Sequence, residues 1–97
     1  METYVILRRH GFRDGDDLRA AAERSTIEGE EMSDGVRWIR SYVLAEEDGT
    51  LGTVCIYQST SPEKILEHAR RAGLPADEVI LSPDTVIVRP DPERVEV

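Results

Sequence analysis

Two apolar runs of period two stand back to back in the middle of the chain, and they constrain its fold most. Val36 to Leu44 alternates Val36, Trp38, Arg40, Tyr42 and Leu44 against Arg37, Ile39, Ser41 and Val43. Leu51 to Gln58 follows after the acidic segment Glu46-Glu47-Asp48-Gly49-Thr50. An Asp-Gly turn between two such runs predicts a β-hairpin. Upstream, Tyr4 to Arg9 is a β-branched and aromatic strand that breaks at His10-Gly11. Asp16-Asp17 then offers an N-cap to a helix expected to run to about Glu31, with Leu18, Ala21, Ala22 and Met32 on one side and Gly35 closing it. Downstream, Ser61-Pro62-Glu63 combines a capping hydroxyl, a proline pre-set for the first helical position and an acid at the positive end of the dipole. Arg70-Arg71-Ala72-Gly73-Leu74-Pro75 is the matching stop. The last strand is Val79-Ile80-Leu81, the run Thr85 to Val88, or both interrupted by Ser82-Pro83-Asp84.

The resulting order, β, α, β, β, α, β, is that of the ferredoxin-like α+β fold, with four antiparallel strands and both helices on one face. Within the hairpin, strict alternation puts Ile39 and Val43 on one face and Trp38 and Tyr42 on the other; Val54 and Ile56 likewise oppose Cys55 and Tyr57. Both faces are partly apolar, and the helices bury only one. The second face is therefore expected to meet a twin, giving a homodimer packed sheet to sheet in a dimeric αβ-barrel arrangement.

Ninety-seven residues make one domain, expected over 1–90, with an acidic, proline-punctuated tail over 91–97. Twelve basic against 20 acidic residues leave a net charge of −8, the opposite of the basic footprint that nucleic acid or an anionic membrane demands. The single cysteine, Cys55, cannot form an internal disulfide, and the N-terminal apolar run is too short for a signal sequence; both point to the cytoplasm.

The candidate chemistry is sparse. No phosphate-binding glycine loop, Cys-x-x-Cys, His-Glu-x-x-His or Gly-x-Ser-x-Gly pattern occurs. The acidic clusters Glu28, Glu30, Glu31 and Glu46-Glu47-Asp48 lack the spacing of a calcium loop and read as solvated surface. His10 ends the first strand, on the face of Tyr4 and Ile6 if alternation persists. His68 falls roughly 60° from the centre of the stripe formed by Ile65, Ala69 and Ala72, at the edge of the core. Cys55 has no lysine or arginine beside it in sequence and reads as a small buried hydrophobe.

The segments Trp38-Ile39-Arg40-Ser41-Tyr42-Val43, Val54-Cys55-Ile56-Tyr57 and Glu67-His68-Ala69-Arg70-Arg71-Ala72-Gly73-Leu74-Pro75-Ala76-Asp77 resemble a family of small bacterial nickel-binding proteins, over about Tyr4 to Val88. The resemblance implies a ferredoxin-like fold, a dimer and a nickel site. It does not supply the ligands. Imidazole suits nickel and a thiolate can join it, so ligand chemistry alone selects His10, Cys55 and His68 for nickel or another divalent transition metal.

The first expected function is thus a dimeric metal-binding protein without catalysis. The alternative is a cofactor-free, monooxygenase-like αβ-barrel enzyme, its aromatic or apolar substrate held between helices and sheet by Trp38, Tyr42 and Tyr57, with His68 or His10 carrying a proton. A third reading is an interaction module whose acidic surface docks a basic partner.

Overall fold

The computed structural model describes residues 1–91. Its elements are β1 (Glu2–Phe12), α1 (Gly15–Glu31), β2 (Val36–Ala45), β3 (Leu51–Ser59), α2 (Pro62–Ala72) and β4 (Glu78–Ser82). The strands form one antiparallel sheet in the order β2-β3-β1-β4, which is the ferredoxin-like α+β arrangement. The acidic tail expected from the sequence lies, beyond Asp91, outside the described residues. No described helix is long and apolar enough to cross a membrane.

Helix α2 forms where its start and stop signals require. The Ser61 side chain accepts from the Lys64 amide, Pro62 opens the helix, and Gly73 takes the left-handed conformation at φ 68°. Helix α1 starts earlier than Asp16-Asp17 suggests. Asp14 is its cap, with Oδ1 accepting from the Asp17 amide at 2.9 Å, while Asp16 and Asp17 occupy the first turn. Its end is Met32, and Gly35 belongs to the turn after it, donating to the Met32 carbonyl at 2.8 Å.

The core joins Tyr4, Ile6, Met32, Val36, Cys55, Tyr57 and Ile65. On β1 the alternation Tyr4, Ile6, Arg8 faces the helices, and on β3 Thr53, Cys55 and Tyr57 pair with them across the ladder. The opposite face carries Val5, Leu7, Val54, Ile56 and Ile80 by the same register.

Two irregularities break the sequence-based alternation. Ile39 is an extra residue in β2, because Trp38 pairs with Tyr57 while Arg40 pairs with Ile56. One inserted residue turns everything beyond it to the other face. Ser41 and Val43 therefore point with Cys55 and Thr53 toward the helices, whereas Tyr42 pairs with Val54 on the far face. Trp38 and Tyr42 are thus not on one face, as strict alternation had it. In β1, Arg9, His10 and Gly11 lie opposite Gly52 alone, and the strand runs on to Phe12. His10 sits at the crest of this irregularity with φ 55°, so alternation does not carry it onto the face of Tyr4 and Ile6. The last strand is the first of the two apolar runs. Pro83 cannot donate to a ladder, and Val86, Ile87 and Val88 lie outside any strand at 88%, 76% and 81% exposed.

Candidate functional site

A cavity of about 1050 Å³ lies between α1 and the β2–β3 half of the sheet. Its wall brings together Arg8, Ser25, Trp38, Ser41, Thr53, Cys55 and Tyr57, with Tyr42 and Asp91 at the β2 edge. The Ile39 bulge builds much of it. By turning Ser41 inward, the bulge puts a hydroxyl 3.0 Å from the Cys55 sulfur and 2.8 Å from the Trp38 indole nitrogen, which donates to it. Trp38 in turn stacks on Tyr57, with centroids 6.3 Å apart and planes 8° from parallel. The three aromatics expected to line a pocket do line it, but from two faces of the sheet: the Tyr42 hydroxyl donates outward to Asp91 at 2.8 Å.

Arg8 is the residue that sequence reasoning missed. Alternation from Tyr4 and Ile6 carries it into the core, where it is 1% exposed. Its Nε donates to the Pro75 carbonyl at 2.6 Å and its Nη1 to Cys55 Sγ at 3.1 Å. Its Nη2 is buried with no hydrogen-bond partner among the described residues. Cys55, 4% exposed, is therefore set in a polar cluster of Arg8, Ser41 and Thr53, not among hydrophobes only. The cation absent from its sequence neighbourhood arrives across the ladder, because Ile6 pairs with Cys55 and Arg8 with Thr53.

His68 lies deeper than its helical position suggests, fully buried instead of at the edge of the core. Its Nε2 is 3.0 Å from the Ser25 carbonyl oxygen, which only accepts, so Nε2 carries the proton. Burial pushes its pKa down, against the raising effect of that hydrogen bond, and the ring is neutral. Nδ1 is then a buried lone pair with no partner among the described residues. Tyr57 leans on the same ring at 5.5 Å, and its hydroxyl, pushed up in pKa by burial, bonds the Ser25 hydroxyl at 3.2 Å.

His10 belongs to a separate, exposed cluster at the β2–β3 turn. Its Nδ1 is 3.0 Å from Thr50 Oγ1 and 3.1 Å from Asp48 Oδ2, and Glu46 accepts from its amide at 2.9 Å. Both carboxylates have other partners. The Arg9 guanidinium holds Glu46 down to about 2, and the Thr50 hydroxyl and amide hold Asp48 down to about 2.

These positions can be compared with what a metal requires of its ligands. Among the described residues no group of three His, Cys, Asp or Glu side chains is placed to hold a metal ion, and His10, Cys55 and His68 are not brought together as one ligand set. His68 fits singly: a metal-binding imidazole characteristically donates its other nitrogen to a backbone carbonyl, as Nε2 does here. Cys55 has a guanidinium where a cation would sit.

Fold and cavity together define a small ferredoxin-like protein with a largely apolar pocket, Arg8 in its wall, under its first helix. The chain belongs to the family described as "Nickel responsive protein SCO4226-like", whose model matches residues 4–81. Among solved structures it is similar to SCO4226 from Streptomyces coelicolor A3(2), with a TM-score of 0.69 and 20% identity over 87% of this chain and 99% of that one. At that identity the likeness is one of fold. No curated protein matches the chain.

Proposed function

We propose that this protein is a homodimeric, non-catalytic binding protein for a divalent transition metal, nickel before others, with His68 as its prepared ligand. The observation that carries the reading is the tautomer of His68. The Ser25 carbonyl fixes the proton on Nε2, and burial keeps the ring neutral, so the free Nδ1 is in the form that binds metal without first losing a proton. The nickel-responsive family supports the choice of metal. One imidazole is not a coordination sphere, and among the described residues no second ligand group stands beside the buried Nδ1.

Dimerisation is supported by the sheet face turned away from the helices. Val5, Leu7, Val54, Ile56 and Ile80 form a contiguous apolar patch there, and Ile80 alone is 45% exposed. Monomers seldom leave such a patch to water.

Isothermal titration with Ni(II) on protein purified without a metal-affinity tag tests the reading. Micromolar binding that His68→Ala abolishes and His10→Ala leaves intact is expected. No binding at micromolar nickel, or binding indifferent to His68→Ala in a folded variant, overturns it.

A further inference from the structure

We infer that the cavity under α1 is a binding site for a small organic carboxylate with an apolar or aromatic body, its carboxylate seated on Arg8. Arg8 is 1% exposed, lines the cavity, and forms no ion pair with any described carboxylate. A buried guanidinium is costly unless an anion or a full set of acceptors compensates it. Two of its three nitrogens are satisfied, by Pro75 O and Cys55 Sγ, and Nη2 is not. Twenty acidic residues are available in this chain, and the described ones all leave Arg8 alone. Arg8 Nη2 is thus a buried donor that an acceptor from outside the chain would satisfy.

The rest of the wall selects the kind of anion. The Thr53 hydroxyl accepts from the Cys55 sulfur at 3.4 Å and keeps its own proton, so beside the Arg8–Cys55 contact it is free to donate to a carboxylate oxygen. Beyond it the surface is apolar, with Phe12 and Leu18 from one side and the Trp38 indole from the other. A planar, delocalised cation matches a carboxylate well. An inorganic oxyanion would leave the apolar wall unused. A volume of about 1050 Å³ suits an organic molecule rather than a lone ion. The site does not depend on the metal proposal, and either can fail alone.

The test compares benzoate and naphthoate with their neutral alcohols, benzyl alcohol and naphthalenemethanol, by isothermal titration. The indole N–H resonance of Trp38, the single tryptophan, is followed by NMR as a marker of the cavity. At least one acid is expected to bind about tenfold or more tightly than its alcohol and to shift the Trp38 resonance. Arg8→Met is expected to remove that preference while the alcohol binds as before. Equal affinity of acid and alcohol for the wild-type protein, no acid binding at millimolar concentration, or a preference that survives Arg8→Met overturns the proposal. The wild-type comparison decides the matter even where Arg8→Met does not fold.

Discussion

Arg8 Nη1 and Cys55 Sγ meet 3.1 Å apart inside the core, one residue carrying a full charge and the other a polarisable sulfur. Ser41 donates to the same sulfur at 3.0 Å, so Cys55 acts as an acceptor shared by two donors. Removing it strands both. Cys55→Ala is expected to lower stability by about 1–3 kcal/mol, the usual cost of leaving a buried donor unmade. Cys55→Ser, which keeps an acceptor, should lose less. Urea denaturation of the two variants checks the order, and equal losses would show that sulfur packing, not the hydrogen bonds, matters here.

His68 makes stability depend on pH in a defined direction. Its folded pKa lies below the ordinary 6.5 because burial disfavours the cation, so the unfolded chain takes up a proton first as pH falls. The stabilisation is complete above about pH 6.5 and declines below it until the folded ring also titrates, with a slope of at most about 1.4 kcal/mol per pH unit for one proton. Arg8 and Arg71 act in the same direction as burial, and Glu28 opposes them. Denaturation midpoints from pH 7.5 to 5 should fall in the wild type and flatten in His68→Gln.

The carboxylates at the turn give a second, more acidic window. Glu46 and Asp48 are both held near 2, below their ordinary 4.5 and 3.8. Their contribution is present above those ordinary values and is lost as pH falls toward 2. Glu46→Gln should reduce the acid sensitivity between pH 4.5 and 2 and loosen the Arg9–His10 segment, seen as faster amide exchange at His10. An unchanged acid transition would remove Glu46 from the account.

Gly52 is required by close approach. A Cβ there would lie 2.7 Å from the Arg8 carbonyl oxygen, a backbone atom that yields only if β1 moves. Gly52→Ala is expected to destabilise by about 1–3 kcal/mol and to disturb the Arg8 side of the cavity. A thermal melt together with the Trp38 resonance separates the local effect from the global one.

The open sheet face predicts a dimer that one charge can split. Leu7→Asp, at the middle of the apolar face, should give a monomer in sedimentation equilibrium where the wild type gives twice the chain mass. A wild-type monomer at high micromolar concentration would remove the twin from the proposed function.

Much of the fold is legible in the sequence because local signals agree with one another. Ser61, Pro62 and Gly73 bracket α2 through backbone chemistry that needs no tertiary partner, and Asp48-Gly49 turns the hairpin. The site is less legible, for two physical reasons. Period-two reasoning fails at Ile39, where nothing in the side chain announces an extra residue, and so Ser41 and Tyr42 exchange faces. Arg8, by contrast, was accessible: alternation from Tyr4 and Ile6 places it inward, but a charged residue at a strand end reads as surface unless that alternation is followed through. Helical periodicity puts His68 at the edge of the core, and the structure buries it fully, because α1 covers the flank that a single amphipathic helix leaves open, its Ser25 carbonyl meeting the ring.

X-ray absorption at the nickel edge, on tag-free protein loaded with one equivalent of Ni(II), reports whether His68 is a nickel ligand. The expected spectrum carries the multiple-scattering signature of at least one imidazole, lost in His68→Ala and kept in His10→Ala. A nickel sphere without imidazole, or one unchanged by His68→Ala, would contradict it.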